Sequence, residues 1–538
     1  MALQQLINAK SFPPHLLGVV IFLVAAYGLH ALYGILTAQK PVQYIPLIGG
    51  DGGLEKSKRR FIQNSREVIR SALRQAQGTV CQIYTDGGPK VLLRPEHIEE
   101  IKNDPNFSFE EFIKDEVMTN TTGFKQFNLA PDTLEIFKSV VRVNLTQALS
   151  RLTVPLSEET ALAMDKFLPP SKEWKQTIPV AGLAVGLVSQ LSARAFLGLP
   201  ICRDPTWLLI SGTYARDMMV ARQAVRRYAP FLRAAVFPLL PQTKALKRTH
   251  RIAYQIIDTE LHRRRQRGYT VEKEIDALRW FEEAAEAAGH TSLDIVNGQL
   301  GLTMAAVHTT SNALSNALMD LAVRPKLVDE LRKEIVEVLG TPQPPSECDG
   351  NDGAKKPVAS WQKTSLYRLR LLDSFLKESQ RFNPGNVMSL RRLAIRPTTL
   401  SDGTHIPARA AVFVPTAYMQ EHLRSPPFVS PSSFSPPESF DPYRYLRLRD
   451  HPGEENRWQF ATASSEHFGF GVGLHSCPGR FFASNELKIA LIHALVRYDW
   501  RCVDGARERP RNILRVDQVI PDPDARLEYR AREAEIVL

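Results

Sequence analysis

The sequence has 538 residues, 43% hydrophobic and 23% charged, which is enough apolar material for a large core and unlike a disordered or fibrous chain. Its formal net charge of +11 suits any anionic partner, but the run Arg263, Arg264, Arg265 and Arg267 has no interleaved aromatics and reads as a solvated helix face, so nucleic acid is set aside. Cys81, Cys202, Cys348, Cys477 and Cys502 are odd in number and have no paired ligand spacing, so neither a disulfide framework nor a zinc site is suggested.

Residues 16–36 are almost wholly apolar, and as a helix they would run ~31 Å at about 1.5 Å per residue, matching a hydrocarbon core. The stretch is too long for a signal-peptide core and has no clear cleavage site, so it is expected to remain as an anchor. Lys10 precedes it, whereas Lys40, Lys56, Lys58, Arg59 and Arg60 follow, and this bias predicts a cytosolic C-terminal side. Pro41 and Pro46 break any continuing helix. The expected organisation is an anchor over 1–37, a proline-containing basic hinge over 38–60 and a single body over 61–538.

Beyond the hinge, Val80–Tyr84 and Val91–Leu93 read as strands around an Asp86-Gly87-Gly88-Pro89 turn. Apolar aromatics crowd 107–127, as core or as pocket wall. Thr291 and Asp294 form a capping pattern ahead of a helix through Ala322, which carries Ala305, Ala306, His308, Thr309 and Thr310. Residues 325–340 place Leu327, Leu331, Ile335 and Val338 on one helix side, and the Gly-, Asp- and Pro-rich interval 340–357 reads as a surface loop. A helix over 366–382 sets Glu378 and Arg381 at i and i+3, where opposite charges meet. The body is mainly helical, an α+β fold with small sheets.

The most informative stretch is Phe468–Gly479, a glycine-rich loop that presents Cys477 ahead of a helical run over 480–500. Gly471, Gly473 and Gly479 permit close backbone approach, and amides at the helix start favour a thiolate. A phosphate-binding loop does not fit, because the third glycine and the following acid are missing.

Phe470, Gly473, His475, Cys477 and Gly479, in that spacing, resemble the heme-binding loop of the cytochrome P450 superfamily. The resemblance implies that Cys477 is the axial ligand of heme b, that His475 reaches a propionate and that Phe470 packs beside the sulfur. Glu378 and Arg381 followed by Arg444 are similar to the family's supporting three-residue salt bridge, and Arg391 matches a position that binds the other propionate. On the helix across the heme, Thr309 (with Thr310 beside it) would hold the water chain that delivers protons to bound oxygen. The family's usual glycine and acid are replaced by Ala306 and His308. His308 is then either a proton relay, given its unperturbed pKa of ~6.5, or a helix histidine bonded to a neighbouring carbonyl.

Lys377-Glu378-Ser379-Gln380-Arg381-Phe382 and the run after Cys477 narrow the resemblance to fungal secondary-metabolism members, including the ent-kaurene-oxidase-like group. It implies an endoplasmic-reticulum, single-pass monooxygenase taking O2 and electrons from a separate NADPH–cytochrome P450 reductase, with cytochrome b5 as a further partner. The expected substrate is a lipophilic polycyclic metabolite, terpenoid or polyketide-derived. Rival readings are a non-redox heme-thiolate isomerase or dehydratase and a heme- or lipid-binding protein without turnover.

Overall fold

The computed structural model describes residues 40–117, 124, 131–268, 274–289, 292–341, 356–416 and 435–538. The anchor expected over 16–36 lies outside the described residues, as do Thr291 and most of the loop over 340–357. Among the described residues no helix is long and apolar enough to cross a membrane.

The principal helices are α1 (Gly53–Ala76), α2 (Phe109–Val117), α3 (Leu149–Phe167), α4 (Val180–Phe196), α5 (Pro205–Arg226), α6 (Pro241–Arg267), α7 (Ala277–Ala288), α8 (Ser292–Ala322), α9 (Pro325–Leu339), α10 (Arg370–Phe382) and α11 (Arg480–Arg497). The expected hairpin forms as β1 (Cys81–Thr85) and β2 (Gly88–Leu92), joined by β3 (Phe107–Ser108), β4 (Met388–Ala394) and β5 (Ala411–Pro415) in a sheet ordered β1-β2-β5-β4-β3. Central α8 packs chiefly on α4 and also on α5, α6, α7, α10 and α11. α4 and α11 are apolar and buried on most sides, which lets the core close around α8. α9 forms as its periodicity predicts, with Leu327, Leu331 and Ile335 buried.

Two local expectations are corrected. The helix expected over 366–382 breaks at Leu369, which has φ −72 and ψ 77, because Glu334 of α9 supplies a remote cap. Its carboxylate accepts from the amides of Leu371 (2.6 Å) and Leu372 (3.0 Å), two of the orphan donors of α10. The basic run on α6 is also not a wholly solvated face. Arg264 is buried between Glu260 (2.7 Å) and Asp276 (2.9 Å), and Arg263, Arg265 and Arg267 pair with Glu260, Glu282 and Glu274.

Three consecutive buried residues of α10 bind three different parts of the fold. Lys377 donates to the carbonyls of Gln459 (2.8 Å) and Thr462 (3.3 Å). Glu378 pairs with Arg381 (2.7 Å) and with Arg444 (3.2 Å), and it accepts from the Asp441 amide (2.8 Å). Ser379 donates to Asp320 of α8 (2.7 Å). The remaining guanidinium hydrogens reach Pro436, Pro437 and Ser439 carbonyls, so the buried ions are thoroughly hydrogen-bonded. Arg444→Ala leaves Glu378 and these carbonyls short of donors in an interior site. The expected loss of folding stability is about 3–5 kcal/mol, read by denaturant unfolding.

On α11, Glu486 is buried with one oxygen accepting from Ser192 (2.7 Å) and the other without a partner among the described residues, and burial pushes its carboxyl up to about 8 from an ordinary 4.5. The folded protein then holds a proton that the unfolded chain releases, so this group's contribution to stability falls as pH rises from 4.5 to about 8. Glu486→Gln removes that slope. His493, on the same helix and pushed down to about 3, acts in both proteins and cancels in their difference. The stability difference between variant and wild type should therefore grow across this interval in pH-resolved thermal unfolding.

Candidate functional site

The cysteine loop is shaped by backbone contacts that few side chains allow. Gly471 and Gly473 both have φ 69, and a Cβ on Gly473 would overlap the carbonyl oxygen of Lys102. That carbonyl and Asn103 Oδ1 accept from the Leu474 amide at 3.1 and 3.0 Å. The Cys477 amide donates to the Phe470 carbonyl (2.8 Å), closing the loop, and Arg480 Nη1 donates to the Cys477 carbonyl (2.9 Å). Phe470 packs edge-on against Phe460, with ring centroids 5.1 Å apart. Gly479 precedes α11, and its added Cβ would make only ordinary contact with Val141.

Burial raises the Cys477 thiol, against the Gly479 amide and the Arg480 charge, which both favour the thiolate. A metal ion bonded to the sulfur would reverse that balance.

Across this part of the fold, α8 carries a stripe at helical spacing in which Gly301, Met304, Ala305, His308, Thr309 and Asn312 are partly or fully accessible, with Ala306 and Ala313 partly accessible beside it. An accessible stripe in mid-helix, between buried turns, lines an internal space. Thr309 Oγ1 donates back to the carbonyls of Ala305 (3.0 Å) or Ala306 (3.2 Å), leaving its lone pairs free to accept from water. Thr310 is buried, on the packed side of the helix.

The cations beside the loop separate two adjacent arginines. Arg391 is paired with Asp517 (2.8 Å) and donates to Asn386 (2.9 Å). Arg392 is buried, has no carboxylate partner among the described residues and carries an unpartnered Nε. Its guanidinium lies 5.7 Å from the Phe109 ring centroid, and the same ring is 6.2 Å from that of His475. Burial alone pushes Arg392 down to about 10, while His475 is lowered by burial and then by Arg392. His475 Nε2 is also buried and unpartnered among the described residues.

A buried guanidinium without a carboxylate is costly, and a carboxylate-bearing ligand would relieve Arg392 and offer the unpartnered His475 Nε2 an acceptor. The Cys477 loop, the accessible helix stripe and these two side chains together fit heme b, whose propionates Arg392 and His475 would hold. Arg392, not Arg391, is the residue the geometry brings to His475. Leu390, at φ 48, interrupts the alternation of β4, and its pairing with β5 shifts register between Val412 and Val414. This bulge turns Arg392 inward. The neighbouring arginines in sequence were the only available signal.

The cytochrome P450 family model matches residues 57–528. The cytochrome P450 monooxygenase pyr3 of Aspergillus fumigatus is 34% identical over 489 residues, covering 90% of this chain and 88% of that protein. The cytochrome P450 monooxygenase adrA of Penicillium rubens is 32% identical over 543 residues, 98% of each. A solved structure of retinoic acid bound cyanobacterial CYP120A1 superposes with a TM-score of 0.62 at 17% identity, over 92% of this chain and 100% of that one, a likeness of fold. The chain therefore belongs to the cytochrome P450 family and is a heme b-dependent monooxygenase using O2 and NADPH-derived electrons.

Proposed function

We propose that the protein is a membrane-tethered oxidase of a lipophilic polycyclic secondary metabolite, a terpenoid in first instance, hydroxylating an unactivated C–H bond in one or more steps. The observation that carries this reading is the accessible stripe of α8, set in a fold whose cysteine loop and unpaired cations fit heme. Fungal relatives that match most of the chain support a place in secondary metabolism. The apolar residues 16–36 and the basic residues after them support a single-pass anchor in the endoplasmic reticulum with the body in the cytosol. In that setting an NADPH–cytochrome P450 reductase, aided by cytochrome b5, is the electron donor.

Heme bound here supplies the activation of O2 that inserts one oxygen atom into the substrate. The chain's own contributions are local. Cys477 offers the sulfur ligand, and the Gly479 amide and Arg480 favour its charge. Arg392 and His475 would hold the propionates. Thr309 fixes a water by accepting its hydrogen bond while its own proton stays on the helix carbonyls.

The test is the full-length protein in yeast microsomes with and without co-expressed reductase. NADPH- and reductase-dependent conversion of a terpenoid to a product heavier by one oxygen atom is expected; reductase-independent turnover would favour isomerase or dehydratase chemistry instead. Cys477→Ala should abolish the thiolate-type Soret band of the reduced carbon monoxide complex. Arg392→Ala should weaken heme retention by about ten- to a hundredfold, as befits a lost charge-assisted pair, measured by transfer to apomyoglobin. Arg391→Ala should change retention far less, because Arg391 is committed to Asp517.

A further inference from the structure

Away from the cysteine loop, three cations gather on one carboxylate. Glu116, in the last turn of α2, accepts from Arg222 Nη1 at 2.6 Å and lies 3.7 Å from both Arg226 Nη1 and Lys90 Nζ. Arg222 and Arg226 stand one turn apart at the end of α5, and Lys90 is on β2. No second carboxylate pairs with any of the three among the described residues, so two positive charges are left uncompensated. Burial would raise the Glu116 carboxyl, yet the three cations hold it at about 2, so it is ionised and has no further charge to give.

Full solvation does not account for this cluster. Lys90 and Arg222 keep only 10% and 8% of their side chains exposed, and Arg222 Nε is buried without a partner among the described residues. Uncompensated charge in such a place is costly. A Cβ on Gly87, in the β1–β2 turn, would stand 3.3 Å from Arg226 Nη2 and 3.7 Å from Lys90 Nζ. Gly87 lies outside the left-handed region, unlike Gly88 at φ 111, so the turn itself does not demand a glycine there. The missing side chain leaves a gap faced by two cations, where an oxygen could accept from both. Gly87 and Arg226 are both partly accessible, so the gap opens outward.

We propose that Lys90, Arg222 and Arg226, gathered on Glu116 beside the β1–β2 turn, form a binding site for a phosphate-type oxyanion, supplied as free phosphate or as the headgroup of an anionic phospholipid. A phosphate group carries up to the two charges the cluster lacks, and its tetrahedral oxygens suit donors arriving from separate elements better than a flat carboxylate does. The occupant would tie the β1–β2 turn to the ends of α2 and α5. Because α2 begins at Phe109, beside Arg392 and His475, and α5 packs on α8, the anion would brace two elements that flank the heme-binding region. The site does not depend on the heme-thiolate reading.

The test is native mass spectrometry of the detergent-solubilised full-length protein, with inorganic phosphate and short-chain phosphatidic acid as probes. Chloride and phosphatidylcholine of the same chain length serve as references. One saturable site per chain is expected, with a Kd of about 1 mM or below for at least one probe. Tighter binding of phosphatidic acid supports the site as one for a headgroup, and equal or tighter binding of phosphate supports it as one for the free ion. Affinity should fall about tenfold or more in Arg226→Gln and in Lys90→Met and recover in part in Arg226→Lys, with the circular dichroism of all three variants unchanged. Absence of saturable binding by both probes, or binding unaltered in Arg226→Gln and Lys90→Met, overturns the proposal.

Discussion

Everything near the cysteine loop depends on the carboxylate of Glu378, where two arginines and a backbone amide converge in an interior that admits no water-exposed charge. A buried carboxylate is tolerable only with its lone pairs filled, and filling them draws α10, the segment before Arg444 and the short helix it opens into one unit. Lys377 and Ser379, on either side, extend the unit to the approach of the cysteine loop and to α8. Three adjacent side chains of one helix therefore fix the relative positions of the loop that offers sulfur and the helix that lines the opposing space.

The chemistry itself divides between rigid and unsatisfied parts. The loop is held by its own amide, by Lys102 and by Gly473, where a Cβ would overlap the Lys102 carbonyl. Against that frame, Arg392, His475 and His308 each keep a buried nitrogen without a partner among the described residues. Of these, the nitrogens of Arg392 and His475 stand beside the same Phe109 ring, where the carboxylates of a ligand would complete their hydrogen bonding.

Much of this was legible in the sequence because it depends on local spacing. Phe470 through Gly479 show the loop, Glu378 and Arg381 sit one helical turn apart, and the mainly helical body with its β1–β2 hairpin follows from periodicity and turn residues. What escaped depends on distant partners or on backbone irregularity. The break at Leu369 comes from Glu334 on another helix, and the burial of Arg264 from Asp276 beyond its own element. The approach of Arg392, rather than Arg391, to the ring beside His475 follows from a bulge at Leu390 that strict strand alternation cannot foresee. The loop that presents Cys477 was legible by resemblance; the unpartnered nitrogens of Arg392 and His475 needed coordinates.

The unpaired Arg392 and His475 also bear on how much of this protein a cell holds. Two buried nitrogens that lack an anion tax the cofactor-free fold, and a ligand that binds only the folded chain stabilises it in proportion to the logarithm of its free concentration over its dissociation constant. Folding and cofactor capture are thus one equilibrium. Heme binding therefore adds to the stability of the folded chain, and the cofactor-free chain, opening more often, is the form more open to proteolysis.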